Sequence, residues 1–341
     1  MFCFRLLSFL LLSAVPLLAQ ESPLIRVPVR LIVAPTSVTD LQGCFVNGLH
    51  LTDFTLYDND VKQTIHQDFD FEPISVAIAI QTNLEVKAIR PKIHELGPLL
   101  GTLVVGEGGE AAVLTFNKKV SVLQPFTEDR GRLTRSLNRV DFSQDKSHLI
   151  DATLDAISML KARPRERRRI LLLVAETRDQ GSESKLRDAV AEAELNNVLV
   201  YSLDIPRKHA MKDTILPATG GPVGTVLSLD IESLVKEIYG GITTSIVENP
   251  LSVLTRYSGG RQYDFGKEQA IVDAVTRVGE ELHGQYLLSY SPNNLNEGGY
   301  HRIRVEVKAP NVSIRTRPGY WSGGFGASDP NPPRATISLP R

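Results

Sequence analysis

The stretch Ile74-Ser75-Val76-Ala77-Ile78-Ala79-Ile80, entered at Pro73 and left through Gln81-Thr82-Asn83-Leu84-Glu85, decides the fold. Its side chains do not alternate between apolar and polar, as they would in a strand with one face in water. A nearly continuous apolar run of this length predicts a strand buried on both faces, the kind that parallel sheets build under two layers of helices. Runs of the same type recur at 111–116, 170–175 and 198–203. Between them Ile150, Leu154, Ile157 and Leu160, and then Leu186, Ala189, Val190 and Ala193, repeat at helical spacing. Buried strands alternating with amphipathic helices predict a doubly wound, Rossmann-like α/β sheet. The hairpin-like Phe116-Asn117-Lys118-Lys119-Val120 adds one antiparallel strand to it. Farther on, Ala270, Ile271, Ala274, Val275, Val278 and Leu282 form one apolar stripe, which predicts a helix over 268–283 packed on the sheet.

Outside this unit the pattern changes to short β-type runs broken by turn residues, at 27–33, at Phe54-Thr55-Leu56-Tyr57, at Tyr286-Leu287-Leu288-Ser289-Tyr290, at 301–307 and at 312–316. The N-terminal and C-terminal runs are expected to pair, so that the α/β domain is inserted in, or flanked by, a small antiparallel β domain. The expected organisation is a signal peptide over 1–19, an N-terminal β unit over 20–72, and the α/β domain over 73–284 with an insertion at 206–250. C-terminal strands then occupy 285–322, and a Gly-, Pro- and Ser-rich tail occupies 323–341. Asp58-Asn59-Asp60 lacks the Gly and distal Glu of a calcium loop and reads as a hairpin turn.

Arg5 ahead of the apolar segment 6–19 predicts a secretory signal peptide, because the segment is too short to span a bilayer and ends in small residues. A secreted or periplasmic location follows, with no membrane insertion after cleavage. Cys3 would leave with the signal and strand Cys44 as a lone thiol, which excludes an intramolecular disulfide. The 38 basic side chains are balanced by 39 acidic ones, so phosphate neutralisation is no basis for function and a nucleic-acid partner is not expected.

In open α/β sheets ligands bind beyond the carboxyl ends of the strands, where the strand order reverses. The first buried strand ends at Gln81, Asn83 and Glu85, the third ends at Glu176, and Ser147 precedes the central helix. The chain resembles the von Willebrand factor A-related domain family of secreted acidobacterial proteins. The resemblance runs through Val27-Pro28-Val29, Leu51-Thr52-Asp53-Phe54-Thr55-Leu56-Tyr57, Leu123-Gln124-Pro125-Phe126-Thr127, Gln285-Tyr286-Leu287-Leu288-Ser289-Tyr290 and Arg315-Thr316-Arg317-Pro318-Gly319-Tyr320. It implies the doubly wound fold, protein binding, and a divalent cation held by a first-strand Asp-x-Ser-x-Ser, a Thr and a later Asp. Here Gln81, Asn83 and Glu85 stand for the first three ligands, Ser147 for the Thr and Glu176 for the Asp. A neutral amide in place of Asp disturbs the compact octahedral oxygen shell that magnesium requires, so a degenerate site is expected, with no cofactor or at most weak magnesium or calcium.

The remaining motifs are weaker. Gly106-Glu107-Gly108-Gly109-Glu110 lacks the Lys-Ser/Thr of a phosphate loop, and Ser182-Glu183-Ser184-Lys185 reads as a helix start, not an acyl-enzyme motif. The run from Arg163 to Arg169 is expected to be a solvated turn between helix and strand. No nucleophile–base set emerges, so the chain is read as a non-catalytic protein-binding module with an unidentified protein partner. A cell-envelope scaffold is the alternative, ahead of a hydrolase using Glu85 and Glu176.

Overall fold

The computed structural model describes residues 31–67, 73–101, 106–205, 249–264, 270–294 and 299–322. The expected signal peptide, the tail and nearly all of the 206–250 insertion lie outside those residues.

Four strands come first, β1 (Ile32–Thr39), β2 (Phe54–Asp58), β3 (Val61–Lys62) and β4 (Ile65–Gln67). The run at 74–80 is β5 (Ile74–Gln81), with every residue buried, and it is followed by α1 (Arg90–Leu99), β6 (Glu110–Phe116) and β7 (Val120–Thr127). Next come α2 (Arg130–Leu137), α3 (Leu149–Lys161), β8 (Arg168–Ala175), α4 (Leu186–Leu195) and β9 (Val198–Asp204). After the insertion follow α5 (Pro250–Ser258), β10 (Gln262–Asp264) and α6 (Ala270–Gly284). The chain closes with β11 (Tyr286–Tyr290), β12 (Gly299–Val307), β13 (Ser313–Arg315) and β14 (Gly319–Ser322).

The six-stranded sheet runs in the order β10-β9-β8-β5-β6-β7, parallel throughout except for β7. One face of β5 presents Val76, Ile78 and Ile80 to α1, α2 and α6, and the other presents Ala77 and Ala79 to α3, α4 and α5. The split in side-chain size lets α3 lie close against the central strand, because dense packing there needs the small face. Helix α5 obeys local rules: Asn249 accepts a hydrogen bond from the Ser252 N–H at 3.1 Å, Pro250 opens the first turn, and Gly259 closes it at φ 91°. At Gly260 a Cβ would come within 2.0 Å of the Val200 carbonyl, so only glycine fits between helix and sheet.

The other strands form two four-stranded antiparallel sheets, β13-β1-β11-β4 and β14-β12-β2-β3. Their shared core contains Ile32, Leu56, Leu288, Tyr290, Ile303, Val305 and Tyr320. On β12 buried His301, Ile303 and Val305 alternate with exposed Arg302, Arg304 and Glu306, the period of a strand with one wet face. Because β1 pairs with β11 and β2 with β12, the chain leaves this β domain after β4 and returns to it at β11.

Three local expectations change. The first strand extends through Pro35 to Thr39; β13 flanks it only at Ser37–Thr39, so at Pro35 it has a partner on one side and a missing N–H costs no ladder bond. Asp58 does lead into a hairpin turn, in which Asn59 and Asp60 adopt positive φ, but its carboxylate is buried in the β-domain core. The arginine run does turn from α3 into β8 with residues 164–166 exposed, but it is not wholly solvated: Arg163 and Arg167 both reach buried Glu110, with Arg163 Nε at 2.6 Å and Arg167 Nε at 3.2 Å.

Glu281 of α6 is fully buried where the two domains meet and accepts hydrogen bonds from Tyr201 at 2.9 Å, Tyr263 at 3.2 Å and Arg315 of β13. Arg315 also donates to the carbonyls of Gly259 and Gly260. Arg315→Leu therefore leaves a buried carboxylate short of its countercharge, and urea unfolding is expected to show a loss of about 3 kcal/mol, in the range for breaking one side of a buried pair.

Candidate functional site

The chain builds outward from β5 through β6 to β7, then returns to the other side of β5 with β8, β9 and β10. The order therefore reverses between β5 and β8, whose registers end with Ile80 opposite Val174. The residues that leave these two strands, Gln81 and Glu176, flank the crevice where such sheets bind ligands. Both are buried, at 0% and 1% exposure, so every polar atom they carry needs a partner.

Those partners fix the geometry. Gln81 Oε1 accepts the backbone N–H of Glu176 at 2.9 Å. A backbone N–H can only donate, so the amide oxygen must face it and the amide nitrogen must face the other way. That nitrogen donates to Asn83 Oδ1 at 2.9 Å and to Glu176 Oε1 at 3.3 Å. Asn83 is held in place by the segment after β5: the Thr82 N–H and hydroxyl donate to the Phe116 carbonyl at 2.8 and 3.1 Å, and Ser143 N–H donates to the Thr82 carbonyl at 2.9 Å.

A second amide, from Gln180, repeats the device. Its Oε1 accepts the Ser147 N–H at 3.3 Å and its own N–H donates to the Ser147 carbonyl at 2.8 Å. Its Nε2 consequently points at two carboxylates, donating to Glu85 Oε2 at 2.8 Å and to Glu176 Oε1 at 2.9 Å. The loop holding Gln180 also caps α3. Ser182 Oγ accepts the N–H groups of Ile150 and Asp151 at 3.1 Å, while the Asp151 carboxylate accepts those of Glu183 and Ser184 at 3.0 Å. Burial pushes the Asp151 carboxyl up, but these hydrogen bonds outweigh it and hold the group below its ordinary range.

Of the five residues expected at the site, Gln81, Asn83 and Glu176 are in direct contact. Glu85 joins them through Gln180 and is half exposed, with Arg178 at 3.9 Å. Ser147 lies beside Gln180 through its backbone, and its buried hydroxyl has no hydrogen-bond partner. The oxygens available to a cation are those of Glu176, Glu85, Asn83 and Ser147, and the first three accept amide N–H groups. Gln180 was not among the expected residues. It lies four positions beyond Glu176, and only the return of the loop to Ser147 brings it to the site.

Glu176 titrates above the usual carboxylate range, first because burial disfavours its charged form and second because Glu85 adds a like charge nearby.

The fold and site together define a doubly wound α/β domain with a polar cluster at its switch point, carried on an antiparallel β domain. Residues 87–177, from the start of the α1 region to the strand end after Glu176, match the family model described as von Willebrand factor type A domain. The chain thus contains a domain of von Willebrand factor A type. Similar solved structures include BatB from Bacteroides thetaiotaomicron, at 15% identity over 62% of this chain and 98% of that one, with a TM-score of 0.42. The SpRpn10 VWA domain aligns at 11% identity over 60% of this chain and 94% of that one, with a TM-score of 0.40. Proximal thread matrix protein 1 from the mussel byssus aligns at 10% identity over 67% and 51%, with a TM-score of 0.42. No curated protein sequence matches the chain.

The raised Glu176 sets a pH dependence whose sign is fixed. The unfolded chain releases this proton at the ordinary glutamate value and the folded chain only at higher pH. Folding is therefore progressively penalised as pH rises through that window, and the penalty is complete above the folded value. Glu176→Gln keeps an acceptor for both amides and removes the charge. Thermal melts should show a gain of roughly 2–4 °C at neutral pH, the size that about 1 kcal/mol produces in a domain this large, and no gain at pH below the glutamate range.

Proposed function

We propose that this chain is a non-catalytic protein-interaction module, secreted or periplasmic, whose switch-point rim is held by side-chain amides where related domains hold a metal ion. The observation that carries the reading is the orientation of Gln81. Its oxygen is committed to the Glu176 N–H, so its NH2 group addresses the acceptors that a cation would need. Gln180 does the same for Glu85 and Glu176. A hydrogen-bond donor pointed into the ligand shell repels a cation, and the residues present do not fit tight octahedral magnesium. The Gln180 amide donates to both Glu85 and Glu176, which supports reading them as a hydrogen-bonded cluster over an acid–base pair.

The rim that remains offers Leu84, 41% exposed, beside the half-exposed Glu85 and Arg178. An apolar side chain flanked by opposite charges suits a protein partner with a small apolar contact and a polar surround. The secreted location rests on the apolar segment 6–19, which lies outside the described residues. Among those described, no helix is long and apolar enough to cross a membrane.

Two measurements test the proposal. Calorimetric titration of the mature protein with magnesium, calcium and manganese is expected to be silent, and Gln81→Asp with Asn83→Ser is expected to produce saturable heat. Saturable binding by the unaltered protein that disappears in Ser147→Ala would overturn the amide reading. Capture of envelope proteins on the immobilised mature chain is expected to recover a partner that is lost, by tenfold or more, in Leu84→Arg with Glu85→Lys; capture unaffected by that pair of changes rules out the rim as the docking surface.

A further inference from the structure

Strand β7 is the outer strand of the six-stranded sheet: among the described residues it pairs with β6 on one side and with no strand on the other. Natural sheets blunt such an edge with bulges and proline, and the second half of β7 does so. Its register against β6 slips between Val122 and Gln124 and again between Gln124 and Thr127, and Pro125 has no N–H to offer. The first half is not blunted. Val120, Ser121 and Val122 keep a regular ladder opposite Phe116, Thr115 and Leu114. Val122 and Leu123, at 47% and 37% exposure, put two adjacent aliphatic side chains into water there.

The two faces of this open edge differ in chemistry. Leu114 and Phe116 belong to the core under α3, so their partners Val122 and Val120 lie on that face, where Phe126 also packs. The other face carries α2, which packs on β6 and β7. A Cβ on Gly97 would come within 2.9 Å of Thr134 and one on Gly101 within 3.0 Å of Arg130, so α1 flanks α2 on the side of residues 130 and 134. Leu133 and Leu137 face the core. At about 100° per residue, Arg132 and Arg139 then fall on the flank away from α1, toward the sheet edge, with Arg135 beside them. All three are exposed. Asp129 lies 3.4 Å from Arg132 and 4.0 Å from Arg135, but the excess remains basic. Residues 117–139 carry Lys118, Lys119, Arg130, Arg132, Arg135 and Arg139 against Glu128 and Asp129 alone, in a chain whose charges otherwise balance.

We propose that β7 is a docking edge for an extended segment of another protein in which apolar and acidic residues alternate, added as a further strand beyond Val120–Leu123. Side chains of a strand point alternately to its two faces, so one set of the segment meets Val120 and Val122 on the α3 side and the other meets the α2 arginines. Main-chain hydrogen bonds supply affinity in such strand addition and the alternating side chains supply specificity. Arginine forks suit carboxylates in particular. Antiparallel pairing with β7 of a second copy would bring two arginine stripes to one face of the joined sheet, which disfavours self-association. The proposal uses none of the rim residues and stands or falls apart from the reading of the rim.

The test is fluorescence anisotropy of a short labelled peptide of alternating glutamate and valine, titrated with the full mature chain. Saturable binding that weakens with salt is expected, and hydrogen exchange at the amides of residues 120–123 is expected to slow in the complex. Arg132→Glu with Arg139→Glu, and separately Val122→Asp, are each expected to weaken binding by about tenfold. All three positions are exposed, so these variants are expected to fold. A peptide of the same composition with its glutamates and valines in two blocks, and one alternating lysine with valine, are expected to bind at least as weakly as the variants do. Absence of saturable binding, equal binding of the block peptide or of dextran sulfate, or binding without slowed exchange at 120–123 overturns the inference. So does a self-associated chain that Val122→Asp makes monomeric, because the occupant is then a second copy.

Discussion

The hydrogen bond from the Glu176 N–H to Gln81 Oε1 constrains everything else at the switch point. It joins the exits of the two strands between which the order reverses, so it ties together the halves of the sheet that sequence order keeps apart. It also removes the freedom of a side-chain amide to turn over, and through that single choice it decides which atoms at the crevice donate and which accept. Asn83, Glu176 and, through the parallel arrangement at Gln180, Glu85 then have their roles fixed without a further choice being made.

A comparable economy holds the two domains together. Glu281 gathers donors from β9, β10 and β13, so one buried carboxylate ties the α/β sheet to the returning strands of the β domain. Burial pushes the Tyr201 and Tyr263 hydroxyls upward, and the adjacent Glu281 charge adds to it, so both stay protonated as donors. At the opposite end of the sheet from the rim, and within the α/β domain, Glu110 gathers Arg163 and Arg167. A domain inserted in another has two chain crossings to hold in register, and charge-assisted hydrogen bonds specify geometry more narrowly than apolar contacts do.

The α/β architecture was legible because β5 and its neighbours are uniformly apolar and the helices between them keep a clear period; each signal is local and needs no knowledge of what lies across the sheet. Gln81, Asn83, Glu85, Ser147 and Glu176 could be named for a related reason, since strand ends locate the crevice once strands are known. The roles of those residues were not legible. Whether Gln81 presents oxygen or nitrogen to the crevice depends on a backbone group 95 positions away, and Gln180 enters only through the loop that caps α3. Asp58 shows the same limit: its neighbours Asn59 and Asp60 have turn chemistry, and nothing nearby in sequence announces His301, Tyr290 and Tyr320 as its partners.

A rim organised by amides differs in kind from one organised by an ion. A bound cation presents an open coordination position and so draws a carboxylate from its partner, with the strength of that attraction set by the supply of metal. Amide donors are saturated internally and offer a partner no such position. Under the proposed reading, recognition falls to what surrounds the cluster: the exposed edge of Leu84, the half-exposed Glu85 and the guanidinium of Arg178. Exposed charges of this kind steer encounter and are screened by salt, whereas the apolar contact is not. On that same proposal, amides in place of carboxylate and hydroxyl ligands trade regulation by metal for a surface that is always in its binding geometry, with specificity carried by charge placement around one apolar anchor.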